Sequence, residues 1–255
     1  MSRKTSTECR VPGAEKLDPR AESREPGAEK RETRAIEKKD DFQINRVLSN
    51  VLSTFLLKTS LTPNQITFIS LSFGILAGIL FSKGSPLSSL FGAFSYQMAC
   101  VLDNCDGEIA RAKNLKSKLG GWLDVVVDLF TAFALFTGLT VGLLKQNVPG
   151  PVLFFGMLCL AGSFINFLVV ITEKIKGFGP AEFNKPHPEK HGRNNIFFKI
   201  ADALREGDSS WFVVLFAALG QTQYLLWFGG IYMQIIWISA LALNFKWIFR
   251  ANENH

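Results

Sequence analysis

The chain has 255 residues, 47% of them hydrophobic and 20% charged, with a net charge of +6. A mean hydropathy of +0.17 at that charge content means the charges are segregated: residues 1–46 are rich in Lys, Arg and Glu, and most apolar residues follow Val47. This excludes a uniformly water-soluble globule and reads as a charged tail ahead of a membrane domain.

The tail repeats "PGAEK" at 12–16 and 26–30, and large apolar residues are nearly missing from it. Such a stretch cannot bury a core, so residues 1–40 are expected to be a disordered cytoplasmic tail. No apolar run follows Met1, so it does not read as a secretory signal. The basic excess comes with no nucleic-acid-binding motif and fits the Lys and Arg content of cytoplasmic membrane loops. Cys9, Cys100, Cys105 and Cys159 form no CxxC pair and read as free thiols rather than a zinc site.

Residues 41–60 follow, with "FQINRVLSNVLSTFLLKTS". Phe42, Val47, Val51, Leu52, Phe55 and Leu56 share one helical face, and Asn45, Arg46, Ser49, Asn50 and Ser53 take the other. This is an amphipathic juxtamembrane helix, either lying in the cytoplasmic interface or packed on the domain surface.

The membrane domain is expected over residues 61–250. Its first helix opens at "LTPNQ": Thr62 suits the N-cap, Pro63 the first helical position, and Gln65 closes a capping box. The run Ile66–Phe81 with its flanks is long enough to span and stops at "KGSP". A second run starts at Leu87, a third covers Leu119–Lys145, and a fourth covers Pro151–Ile171. A polar segment, 173–208, precedes "SSWFVVLFAALG" and "YLLWFGGIYMQIIWISALAL". The fifth run spans only if its helix begins near Ala201 or the bilayer thins around it. The expected fold is therefore all-α with six transmembrane helices; five spans plus a re-entrant segment is the alternative. With six spans and the N-terminus inside, the inner segments carry Lys113, Lys116, Lys118, Lys246, Arg250 and the basic 173–208 stretch. The outer loops carry only Lys83 and Lys145. This asymmetry places both termini in the cytoplasm.

The chemistry is concentrated in "VLDNCDGEIARAKNLKSKLGGWLDVVVDLF", residues 101–130. Asp103, Asp106, Gly107 and Ala110 share a helical face, as do Asp124 and Asp128 on the next helix. The short linker makes the two helices antiparallel neighbours in this reading, bringing two carboxylate pairs together. Carboxylates so close to lipid must be neutralised. An oxygen-only donor set suits two magnesium ions, with manganese as an alternative. Gly107, Ala110, Gly120 and Gly121 leave room for a ligand, and Arg111 offers a fork for phosphate oxygens.

These residues fit the pattern D-x2-D-G-x2-A-R-x8-G-x3-D-x3-D at every position, through Asp103, Asp106, Gly107, Ala110, Arg111, Gly120, Asp124 and Asp128. The pattern resembles that of the CDP-alcohol phosphotransferases, over roughly residues 42–250. The resemblance implies an enzyme that transfers a substituted phosphoryl group from a CDP-linked donor to an alcohol and releases CMP. It implies metal ligation by Asp103, Asp106, Asp124 and Asp128, with Asp128 also the general base. It further implies a nucleotide site at Gly107, Ala110 and Gly120, phosphate binding by Arg111, and a homodimer in the bilayer. Asn64 in "TPNQ" either faces the nucleotide or simply starts its helix. Within the family, "LDNCDGEIARAK" and "GGWLDVVVD" look most like the branch making inositol-phosphate products, including di-inositol phosphate phosphate synthases. The donor, CDP-diacylglycerol or a CDP-polyol, stays open, as does the acceptor alcohol or sugar phosphate. Arg193, Lys199 and Arg205 are candidates for binding a phosphorylated acceptor, or are cytoplasmic anchors. Asp208, Ser209 and Ser210 either contact the acceptor or cap the fifth helix. Two rivals use similar residues: an intramembrane prenyltransferase, whose aspartate motifs lie on separated helix pairs, and a divalent-cation transporter, which needs polar residues at several depths. Beyond the helix ends, the third to sixth runs carry few polar residues apart from Asn166 and Gln234.

Overall fold

The computed structural model describes residues 44–177 and 210–250. The charged tail lies outside the described residues, as do Phe42, Arg193, Lys199, Arg205, Asp208 and Ser209. Seven helices are described: α1 Ile44–Leu57, α2 Pro63–Phe81, α3 Pro86–Ala112, α4 Lys118–Lys145, α5 Val152–Gly177, α6 Ser210–Ala218 and α7 Thr222–Arg250. Three of them are long and apolar enough to cross a membrane: Pro63–Phe81, Lys118–Lys145 and Val152–Thr172. The chain is therefore a multi-pass helical membrane protein. Helix α6 has 9 residues, about 14 Å of helix against a hydrocarbon core of roughly 30 Å. Its described part does not span by itself.

Local sequence sets the helix ends. Thr62 Oγ1 accepts from Gln65 N, and Gln65 Oε1 accepts from Thr62 N at 2.9 Å, so the expected capping box is present with Pro63 behind it. Ser85-Pro86 repeats the same grammar at α3, where Ser85 Oγ accepts from Ser88 N. Helix α3 closes on Asn114 at φ 53°, with Leu115 N donating to Ala110 O at 2.9 Å and Asn114 N to Arg111 O at 3.3 Å. Ser117 then caps α4 by accepting from Gly120 N at 2.9 Å. Five residues, 113–117, thus turn the chain sharply between the two aspartate-bearing helices.

That turn does not make α3 and α4 packed neighbours, as the short linker suggests. Both pack instead against α2 and make few contacts with each other. Small residues draw them to α2. A Cβ on Gly78 would fall 2.3 Å from Ala134 O, one on Gly138 2.2 Å from Gly78 O, and one on Gly142 2.2 Å from Phe81 O. Here α2 and α4 touch backbone to backbone, as small-residue membrane interfaces do. We expect Gly138→Ala to cost roughly 1–3 kcal/mol by overpacking, read as a lower melting temperature in detergent. Gly107→Ala should leave the melting temperature unchanged, because a methyl there meets only Arg111 Nη1, at 3.6 Å. Equal losses in the two variants would refute this division.

The main core lies towards the other end of the bundle from the aspartates. It joins Phe81, Phe136, Leu139, Leu143 and Leu226 from α2, α4 and α7. A smaller cluster of Ile66, Val101, Leu102, Cys105 and Ile109 lies beneath α1. Among the described residues Cys100, Cys105 and Cys159 are free thiols. Helix α1 packs through its polar side: Asn45, Ser49 and Ser53 are buried, whereas Val47, Val51 and Phe55 are more than half exposed. Ser49 and Ser53 donate to the two Glu108 oxygens at 2.8 and 2.6 Å, and Asn45 donates to Ser210 at 2.8 Å. Leu52 and Leu56 pack on the smaller cluster. A helix on a water-facing surface would turn the other way.

Candidate active site and its relatives

The start of α2, the end of α3, the start of α4 and the end of α5 meet at one end of the bundle. There Asp103, Asp106 and Asp124 each offer a carboxylate oxygen, and these oxygens lie within 4.8 Å of one another. Asp106 is buried and accepts a hydrogen bond from Thr67 Oγ1 on α2. Asp103 Oδ1 is buried with no hydrogen-bond partner. Asp124 forms an ion pair with Lys174 of α5 at 3.5 Å, and Lys174 Nζ also donates to Gly121 O. Asp128, one turn further along α4, stands outside the group of three and lines a cavity together with Asp103.

The glycines divide by purpose. Gly107 and Gly121 have open space: the atoms nearest a Cβ there are Arg111 Nη1 at 3.6 Å and Lys174 Nζ at 3.9 Å. Packing does not require glycine at either position. Gly120 is tighter, since a Cβ would lie 3.1 Å from Ser117 Oγ and 3.3 Å from Asn64 Oδ1. Asn64 therefore sits against the first turn of α4, at the site rather than apart from it. Arg111 is exposed beside Gly107, and Ala110 is half-buried on the same helix.

Three contributors escape a motif-based reading: Thr67, Lys174 and Glu108. Thr67 is a polar residue four after Pro63 in a mostly apolar run, and that was its available signal. Lys174 is legible only as one more basic residue near a helix end. Glu108 occupies an unspecified position of the motif, and its role as the anchor for α1 appears only in three dimensions.

The residues present suit a divalent cation. The donor set is all oxygen, three carboxylates converge, and an unpartnered buried Asp103 oxygen sits among them. Among the described residues, Lys174 is the lysine that forms an ion pair with these carboxylates. The family model for CDP-alcohol phosphatidyltransferase matches residues 60–186, which include every one of these helix ends. The chain belongs to the CDP-alcohol phosphatidyltransferase family. A relative from Archaeoglobus fulgidus, described as a bifunctional IPC transferase and DIPP synthase, is 28% identical over 204 residues, covering 79% of this chain and 36% of the relative. The protein of the same description from Thermococcus kodakarensis is 30% identical over 135 residues, covering 52% and 29%. The phosphatidylinositol phosphate synthase of Corynebacterium glutamicum is 29% identical over 141 residues, covering 52% of this chain and 60% of that one. The chain thus spans about a third of the length of the bifunctional relatives. The crystal structure of Mycobacterium tuberculosis phosphatidylinositol phosphate synthase with CDP-DAG bound superimposes with a TM-score of 0.51 at 22% identity, covering 77% of this chain and 92% of that chain. The family fold is shared.

Proposed function

We propose that this phosphatidyltransferase-family chain transfers a substituted phosphoryl group from a CDP-linked donor to an alcohol, releasing CMP. The observation that carries the reading is the convergence of the Asp103, Asp106 and Asp124 oxygens within 4.8 Å, in the register of the family pattern. Asp103, Asp106 and Asp124 would hold magnesium or manganese, with Asp128 contributing to a second ion. Bound there, such cations would supply electrostatic stabilisation of the charge developing on the diphosphate and on departing CMP.

The remaining steps fall to the chain itself. Gly107, Ala110 and Gly120 leave room for the nucleotide, Asn64 faces it, and Arg111 and Lys174 provide donors for phosphate oxygens. Asp128 takes the proton of the acceptor hydroxyl as that oxygen forms its bond to phosphorus. The phosphorus–oxygen bond to CMP breaks, and CMP leaves with the electron pair. The relatives' names favour inositol-containing products, with CDP-diacylglycerol or a CDP-polyol as donor and an alcohol or sugar phosphate as acceptor. In this reading six helices span, the termini and active site face the cytoplasm, the apolar side of α1 lies in lipid, and two copies pair in the bilayer. Arg193, Lys199 and Arg205 are retained as acceptor-binding candidates.

The test is product mass spectrometry on purified protein given CDP-diacylglycerol or CDP-inositol with inositol, inositol phosphate, glycerol phosphate and serine. The reading requires CMP release that EDTA abolishes and magnesium restores. CMP release from no donor–acceptor pair would refute it. Thr67→Val keeps the side-chain volume and removes the hydrogen bond to Asp106. It should weaken manganese binding about 10–100-fold, as loss of a group orienting a metal ligand typically does, measured by electron paramagnetic resonance. An unchanged affinity would remove Thr67 from the site.

A further inference from the structure

We infer that Asn166 reads the acceptor, holding a non-reacting hydroxyl of a polyol in the cavity that opens beneath Asp128. The inference rests on the transfer reading above and adds the residue that selects the acceptor.

The cavity measures about 250 Å³ and runs inward from the aspartates between α2, α3, α4, α5 and α7. Asp103 and Asp128 line it, as do Ser70, Tyr96, Ser163 and Asn166. It far exceeds the roughly 10–15 Å³ that a single water needs, so it admits a small organic group. Its serine hydroxyls are already committed as donors: Ser70 donates to Ala99 O at 3.0 Å and Ser163 to Cys159 O at 2.8 Å. Asn166 Oδ1 is buried with no hydrogen-bond partner. A buried carbonyl left in that state costs about 1–3 kcal/mol. Leucine or methionine would fill the position without that cost, so the carboxamide is in place for a ligand.

Two features fix what that ligand is. First, no lysine or arginine is among the described residues lining the cavity. A phosphate drawn into it would be buried without a countercharge, so the part of the ligand that enters is neutral. Any phosphate on the acceptor stays at the mouth, where Lys174 lies against Asp124. Second, Asn166 precedes Lys174 by eight residues on α5, which sets it about 12 Å deeper along the helix axis. Asp128 lies one turn deeper than Asp124, about 6 Å. A molecule whose reacting hydroxyl meets Asp128 therefore reaches Asn166 through a second polar group several ångströms away. A second hydroxyl of a polyol is such a group and is neutral; a simple monoalcohol has none, and serine would bring charged groups into the cavity.

The experiment is steady-state kinetics of purified wild type, Asn166→Ala and Asn166→Leu. CDP-diacylglycerol is the donor, and myo-inositol, inositol 1-phosphate or glycerol 3-phosphate the acceptor. Both variants should raise the acceptor KM about tenfold or more, the equivalent of one lost hydrogen bond to a buried group. The donor KM and manganese affinity should stay within about twofold of wild type. Asn166→Leu should also melt no lower than wild type without ligand, which a purely structural asparagine would not allow. Saturating acceptor should raise the melting temperature of wild type but not of either variant. An unchanged acceptor KM in both variants overturns the inference, as does a rise in donor KM instead, which would place part of the donor in the cavity. Wild type that releases no CMP from either CDP-diacylglycerol or CDP-inositol overturns the transfer reading itself.

Discussion

Asp128→Asn is expected to lower CMP release by about 10²–10⁴-fold, the usual contribution of a positioned general base, with CDP-donor binding largely kept. The asymmetry follows from position. Asp128 lies outside the trio of converging carboxylates and faces the cavity shared with Asp103. Its loss therefore removes proton transfer more than metal or diphosphate binding. Asparagine keeps the shape and a hydrogen-bonding oxygen but cannot take the proton. Kinetics of CMP release beside equilibrium titration of the donor separate the two effects. A variant that turns over at the wild-type rate would show that Asp128 is not the base. A variant that loses donor binding as steeply as turnover would place the main role of Asp128 in holding metal and nucleotide rather than in proton transfer.

Asp103→Asn should behave in the opposite way, losing metal and donor binding together. Asp103 sits at the junction of both arrangements, one of the trio and part of the cavity wall, with a buried oxygen that nothing in the protein satisfies. In EDTA the variant should melt above wild type, because removing one charge relieves repulsion among buried carboxylates. Magnesium should reverse the order. A ligand at 100 times its Kd stabilises wild type by about 2.7 kcal/mol, and the variant should gain almost nothing. Melting curves with and without magnesium give both signs in one experiment. Equal magnesium stabilisation of the two proteins would remove Asp103 from the metal site.

Much of this arrangement was legible in the sequence because short-range rules govern it. Thr62, Pro63 and Gln65 act within one turn, and their capping box forms as read. The aspartate register follows from helical periodicity alone. The relation of α3 to α4 was not legible, since a short linker suggests packed neighbours. The contacts of Gly78, Gly138 and Gly142 depend on which helices meet, and they set α4 against α2. The orientation of α1 was only half legible. Its two faces are plain in sequence, but which one packs on the domain depends on Glu108, 55 residues beyond Ser53. Thr67, Lys174 and Asn166 belong to no local pattern and enter the site only through the meeting of separate helices.

The most direct measurement is anomalous diffraction from crystals grown with manganese. The account predicts a manganese peak among Asp103, Asp106 and Asp124, coordinated by their carboxylate oxygens. It also predicts that the peak disappears in Asp103→Asn crystals. Manganese absent from that position, or Asp103 and Asp124 found on opposite sides of the bundle, would contradict it.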